Sequence, residues 1–234
     1  MTARVPSTAN VIATIAGLTL RRLLRGRAVW VSVAMALLPV LFSALVHEHH
    51  RMARRLTDLF VIEELLLAVL PAMFVASSIG EEIEDRTTTY LWSRPVGRWA
   101  ILAGKLVALV PIASVLLVVG WIGAVEVQFH HRPDAISIVT IAAGTLALSL
   151  LAAAMATLVP KHGMALTIAY LLFFDLPIGA LFASIRQLSV THHLRVLALD
   201  LTGDDSRPVA AIGVAVIACV WGAIALWRIR RREA

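Results

Sequence analysis

Long apolar runs separated by short polar stretches set the pattern of this chain. A helix rises about 1.5 Å per residue and the hydrocarbon layer is about 30 Å thick, so roughly 20 apolar residues make one crossing. Six runs reach that length: Ala28 to Val46, Leu59 to Gly80, Ala100 to Val125, Ala135 to Val159, Gly163 to Ile185 and Val209 to Trp227. None shows the residue-by-residue alternation that marks barrel strands. The pattern predicts an all-α integral membrane protein with six transmembrane helices. Pro39, Pro71, Pro111 and Pro177 fall inside four of the runs and predict kinks, since neighbouring helices re-satisfy the freed backbone groups. No internal repeat is evident.

Ahead of the first run, Val11, Ile12, Ile15, Leu18, Thr19, Leu23 and Leu24 recur at helical spacing, and Arg21, Arg22, Arg25 and Arg27 supply cationic ends for lipid phosphates. A secretory signal carries its positive charge before the apolar stretch, and here the charge follows it. Thr8 to Arg25 therefore reads as an amphipathic interface helix lying along the cytoplasmic face, with a frayed basic tail as the alternative. The resulting organisation is a tail and interface helix over 1–27, a six-helix domain over 28–227 and a basic cytoplasmic tail over 228–234. Within the domain, 81–99 is an inner loop and 186–208 an outer one. The stretch from Leu194 to Leu201 in the outer loop is apolar enough to dip back into the membrane or lie on it.

Composition agrees with this reading. Of the 234 residues 59% are apolar and 15% charged, against about 45–50% and about 25% in a water-soluble domain, and the mean hydropathy is +0.85. These values exclude both a soluble globule and a disordered chain. The one cysteine, Cys219, excludes an internal disulfide and reads as a small packing residue in the sixth span. A net charge of +6 would suggest nucleic acid in a soluble protein; here placement matters more. Fourteen Lys and Arg fall on the side of the termini and seven on the other, which puts both termini in the cytoplasm and leaves no nucleic-acid role. Arg51, Arg54 and Arg55, all in the first outer loop, are the main exception.

The least membrane-like stretch runs from Gly80 to Lys105, GEEIEDRTTTYLWSRPVGRWAILAGK. Glu81, Glu82, Glu84 and Asp85 follow directly on a span; an apolar-aromatic stretch and Arg94-Pro95-Val96-Gly97-Arg98 come next. Acidic residues at a helix start and a Pro-led turn suggest a short helix in the membrane plane, suited to docking a cytoplasmic partner. A nucleotide-binding P-loop needs G-x-x-x-x-G-K-[ST]; between Gly97 and Gly104 lie six residues, and Leu106 follows Lys105.

This stretch resembles the hallmark of the ABC-2 type exporter permeases: acidic residues and a Thr, a leucine-rich stretch, Pro-Val-x-Arg and then Gly-Lys. The matching positions are Glu82, Glu84, Thr87, Leu91, Pro95, Val96, Arg98, Gly104 and Lys105, with Arg86 standing where a glycine usually precedes the Thr. The resemblance implies that the 81–99 loop is a coupling helix touching a separate ATPase subunit, with Glu81, Glu82, Glu84, Asp85, Thr87, Leu91, Pro95 and Arg98 as contact residues. It also implies two ATPase copies, a second permease chain identical or similar to this one, ATP and Mg held by the partner with no cofactor in this chain, and a place in the inner (cytoplasmic) membrane. The alternatives are an integral-membrane enzyme, which would need a nucleophile, base or metal ligands on facing helices, and an anchor that recruits a soluble partner.

Several polar residues stand out. Asp175, near the middle of the fifth run, is a functional candidate because an intramembrane carboxylate needs water or a partner; the alternative is a neutral Asp bonded to carbonyls freed by Pro177. Glu63, Glu64 and Glu126 read as carboxylates near enough to the interface to reach water. Trp30, Trp99, Trp121 and Trp227 read as an aromatic belt. Seven of the eight histidines fall in the outer loops. His47, His50, His130 and His193 are candidates to bind a metal or sense acidity there, the alternative being solvated histidines at headgroup level.

Overall fold

In the computed structural model the described residues are 7–45, 52–84, 97–181, 184–199 and 207–231. Among them every element is helical. Six helical stretches are long and apolar enough to cross a membrane: Arg27–Leu45, Arg55–Gly80, Arg98–Phe129, Ala135–Leu158, Pro160–Gly179 and Arg207–Arg231. They coincide with the six expected runs, except that the fifth ends at Gly179 instead of reaching Ile185. After Gly179 the chain turns at Ala180 and Leu181, and a short 3-10 turn occupies Ser184–Leu188.

The N-terminal helix, α1 (Thr8–Arg25), is capped by Ser7, whose hydroxyl accepts from the Asn10 amide at 3.4 Å, and carries Arg22 and Arg25 in its last turn. Both ends suit the helix dipole and its orphan groups. Ile12, Ile15, Ala16, Thr19 and Leu23 form its half-buried stripe, and the helix packs on α6 (Arg98–Phe129). A Cβ on Gly104 of α6 would lie 2.9 Å from the carbonyl oxygen of Ile12, so the absence of a side chain there sets the approach of the two helices. After the extended bend at Gly26, the first span comprises α2 (Arg27–Ala36) and α3 (Leu38–Leu45), separated by a turn at Leu37 two residues before Pro39.

The second span runs through α4 (Met52–Pro71), a π-helical segment Ala72–Ala76 and α5 (Ser77–Glu84) without a break. A second π segment, Leu171–Asp175, lies between α8 (Gly163–Tyr170) and α9 (Leu176–Gly179) in the fifth span. The second lies just before Pro177, which lacks an amide hydrogen and crowds the preceding turn, and the wider turn accommodates both; the first follows directly on Pro71. In each, an amide reaches five residues back: Ser77 to Ala72 and Leu176 to Leu171. Pro111, by contrast, sits inside an uninterrupted α6.

At the centre stands α7 (Ala135–Leu158), which packs against α4, α5, α6 and α8 and against two later helices, α10 (Val190–Leu199) and α11 (Arg207–Arg231). Leu151, Ala152, Ala153, Ala154 and Ala156 are all fully buried. Small residues suit this position, because helices in lipid associate by close backbone approach instead of by exclusion from water. Trp121 belongs to this core and not to an aromatic belt: it is fully buried, donates from Nε1 to the Ser137 hydroxyl at 3.1 Å and meets Phe60 edge-on at 5.5 Å. Trp30, Trp99 and Trp227 are exposed. Cys219 is exposed on α11, so it packs no interior.

Candidate functional site

Two polar regions lie at opposite ends of the bundle. At one end, α5 carries Glu81, Glu82 and Glu84 and α6 begins at Arg98, which is half-buried. Asp85, Thr87, Leu91 and Pro95 lie outside the described residues. The flanking helices are tightly fixed. Lys105 is buried on α6, and its Nζ donates to the carbonyl oxygen of Ser78 on α5. A Cβ on Gly80 would lie 2.8 Å from the carbonyl oxygen of Pro160, so α5 also abuts the turn Pro160–His162 that joins α7 to α8. Gly104 is seated against α1, so α1, α5, α6 and that turn are all joined by close contacts at this end. Gly104 and Lys105 thus act as packing and tethering residues within this chain.

At the other end, the chain between the fifth and sixth spans returns to the bundle. Its helix α10 packs against α4, α7 and α11, with Val190, Thr191, His192, His193, Leu194 and Val196 buried. Leu194 fits where a Cβ on Gly144 of α7 would come within 2.7 Å of it. Asp175 holds the N-terminus of this helix. It is 2% exposed and directed into the protein, accepting at 2.9 Å from the amides of Val190 (Oδ1) and Thr191 (Oδ2) and at 3.2 Å from the Ser189 hydroxyl. Ser189 in turn accepts from the His192 amide at 3.1 Å. Asp175 is an acceptor here, the capping role that an N-terminal carboxylate plays, supplied from a different helix. It does not bond to carbonyls freed by Pro177.

The middle of α10 is held by a second contact. Arg195 donates from Nε to Glu64 Oε1 at 2.6 Å and from Nη2 to Glu64 Oε2 at 2.5 Å, a two-pronged ion pair joining α10 to the second span. Glu64 is fully buried and the Arg195 side chain 21% exposed. Glu63 is also fully buried, and neither of its oxygens has a hydrogen-bond partner among the described residues. The expectation that Glu63 and Glu64 reach water is corrected here: both are fully buried, Glu64 against α10 through its pair with Arg195. Glu126 is exposed, as expected. Sequence reading missed the pairing of Glu64 with Arg195; the usable signal was an arginine inside the apolar run Leu194 to Leu201 and a carboxylate inside an apolar span.

Of the histidine candidates, His47 and His50 lie outside the described residues. His130 is exposed and closes α6 in a left-handed conformation with φ 56°. His193 is buried, its Nε2 2.9 Å from the carbonyl oxygen of Gln187, so it is not a solvated headgroup-level histidine. Among the described residues no three His, Cys, Asp or Glu side chains are placed to hold a metal ion.

The chain matches the family described as ABC-2 family transporter protein over residues 61–196. That is more than half of the chain, from the second span through α10, and it contains both polar regions. No curated protein matches the sequence.

Proposed function

The chain belongs to the ABC-2 family of transporter proteins, and from that membership we propose that it is the permease subunit of an ATP-driven exporter, energised by a separate ATPase through the 81–99 segment. Membership makes it a membrane transport subunit with six spans. In the finer reading, two permease chains, identical or similar, line a path across the inner membrane with both termini in the cytoplasm, and two ATPase subunits holding ATP and Mg dock beneath them. The excess of Lys and Arg on the side of the termini supports that orientation.

The observation that carries the coupling role is mechanical. The 81–99 segment connects α5 to α6, and these two helices are tied to each other by Lys105 and to α1 and the 160–162 turn by close contacts. ATPase closure against that segment would therefore bias one of two bundle packings as a unit. Glu82, Glu84 and Arg98 supply charged contacts at the rim of the partner. The test is co-purification with the encoded ATPase and ATP-driven transport, comparing the parent with Glu82→Lys/Glu84→Lys. The variant should insert normally yet lose the ATPase or its coupling. Unchanged complex formation and transport would refute the docking role, and ATP hydrolysis by the pure chain alone would refute the division of labour.

A further inference from the structure

Glu63 takes no part in the contacts that fix the α10 end of the bundle. Its neighbours one turn away on α4 are Leu59 and Phe60 on one side and Leu66 and Leu67 on the other, all buried, and Phe60 meets Trp121 edge-on. Both of its carboxyl oxygens are buried without a hydrogen-bond partner among the described residues. The adjacent Glu64 differs, since both of its oxygens accept from Arg195. The other titratable groups on the elements packed against α4 are placed elsewhere. Asp175 caps α10, His193 meets the Gln187 carbonyl with His192 beside it, and Tyr170 packs on Trp221. Arg27, Arg98 and Lys105 lie toward the end that carries the 81–99 segment, and Glu126 is exposed. On α4 itself Arg54, Arg55 and Asp58 fall in the first two turns, and neither α3 nor α7 has an ionisable side chain.

We propose that Glu63 is a proton-binding site: in the packed bundle its side chain is the neutral carboxylic acid, and the proton is released when this part of the second span meets water. An ionised carboxylate in an apolar interior needs a countercharge or several donors, and Glu63 has neither among the described residues. The neutral acid carries no charge to desolvate. A proton also suits the site better than a metal ion. A hard cation such as calcium takes about six to eight oxygen ligands, whereas the neighbouring carboxylate is committed to Arg195, whose own charge opposes a second cation. The site is within reach of solvent once the packing loosens, because Glu63 lies only about 12 Å of helix from Arg55, where the span begins. An exposed glutamate ionises near pH ~4.3, so above about pH 5 the packed form holds a proton that the opened form has lost. Acidity therefore favours the packed arrangement, and rising pH weakens it. The proposal needs only the fold and stands independently of the ATPase partner.

The test compares the purified full chain in neutral detergent with Glu63→Gln by infrared difference spectroscopy, at constant ionic strength with sodium and potassium exchanged. At neutral pH the parent should show a carbonyl stretch of a neutral carboxylic acid that the variant lacks. Glu126→Gln, at an exposed position, should lose carboxylate stretches and keep that band. In denaturant titrations between about pH 5.5 and 7.5, the parent's unfolding constant should rise about tenfold more per pH unit than that of Glu63→Gln, the signature of one proton lost on opening. If Glu63→Gln does not fold, Glu63→Met, an uncharged chain of similar length, carries both comparisons. Two results overturn the proposal. One is a difference spectrum with carboxylate stretches in place of the acid band, which would make Glu63 an ionised group, hydrated if the stretches ignore the salt and holding a metal cation if they follow sodium or potassium. The other is an equal pH slope in the parent and a folded variant, which would mean that no proton leaves Glu63 when the bundle opens.

Discussion

Replacing Arg195 with methionine should be among the most damaging single changes outside the apolar core. The guanidinium is partly exposed, but its partner Glu64 is fully buried and accepts both of its donors, at 2.6 and 2.5 Å. Arg195→Met keeps the apolar stem of the side chain, removes the guanidinium and strands a carboxylate in the protein interior. Breaking a buried pair from one side costs about 3–5 kcal/mol, because the surviving charge has lost its compensation. The converse change, Glu64→Gln, leaves a cation that is 21% exposed and near water, so its cost is smaller, about 1–3 kcal/mol. Replacing both, as Glu64→Leu/Arg195→Met, removes the desolvated charges altogether and should restore most of the parent's stability.

The expected order is therefore Arg195→Met worst, Glu64→Gln intermediate and the double variant nearest the parent. Equilibrium unfolding in mixed detergent micelles measures it, and the cycle closed with Glu64→Leu as the second single variant should show coupling of about 2 kcal/mol or more, within the range for residues in direct contact. The reasoning fails if Arg195→Met lies within about 0.5 kcal/mol of the parent, the ordinary scatter of surface substitutions. It fails equally if the double variant is as unstable as Arg195→Met.

Two further outcomes follow from contacts already described. Asp175→Asn turns a donor toward one of the two α10 amides that the carboxylate accepts, a loss of about 1–3 kcal/mol, so hydrogen exchange at Val190 and Thr191 should quicken about 10- to 100-fold; unchanged exchange would mean that α10 is held without this cap. Gly104→Ala puts a methyl group 2.9 Å from the Ile12 carbonyl oxygen and should lift α1 off α6, so that the helix opens more readily and trypsin cuts faster at the exposed Arg21, Arg22 and Arg25, whereas Gly17→Ala, with nothing within 4 Å, should leave cleavage unchanged; equal cleavage in the two variants would contradict the packing of α1.

The spans were legible because a crossing is a matter of length and hydropathy, and both are properties of a single stretch of chain. The fold-back of α10 was half legible: the apolar character of Leu194 to Leu201 announced a segment that would leave the aqueous loop, but not where it would go. Its anchors could not be read, because Glu64 and Arg195 stand 131 residues apart and an ion pair leaves no periodic trace in sequence. The same gap produced the wrong environment for Glu63 and Glu64, whose distance from the end of the span suggested water although both are buried, Glu64 against α10. Trp121 misled for a related reason. An amphipathic ring near a span end fits a lipid interface, and only the Ser137 hydroxyl on the neighbouring helix shows that its N–H is satisfied inside the protein.

In lipid the surroundings are as apolar as a leucine core, so aliphatic contact alone does not select one helix packing over another. Selection falls to close approaches at glycine and to directional polar contacts, and in this protein those lie toward the two ends. Lys105 to Ser78, Gly80 against Pro160 and Gly104 against Ile12 fix the end that carries the 81–99 segment. Asp175 to α10, Arg195 to Glu64, Trp121 to Ser137 and Gly144 against Leu194 fix the other. Between them the core is largely aliphatic, with Val75, Leu109, Leu117, Leu148 and Leu151 buried, and two of the spans carry a π-helical turn, Ala72–Ala76 and Leu171–Asp175. Side chains without directional bonds can slide past one another at small cost, whereas an ion pair or a capped helix must break outright. The second span, which carries Glu64 near one end and Glu81, Glu82 and Glu84 at the other, is the continuous element that joins the two ends, so a displacement at either is constrained by contacts at both.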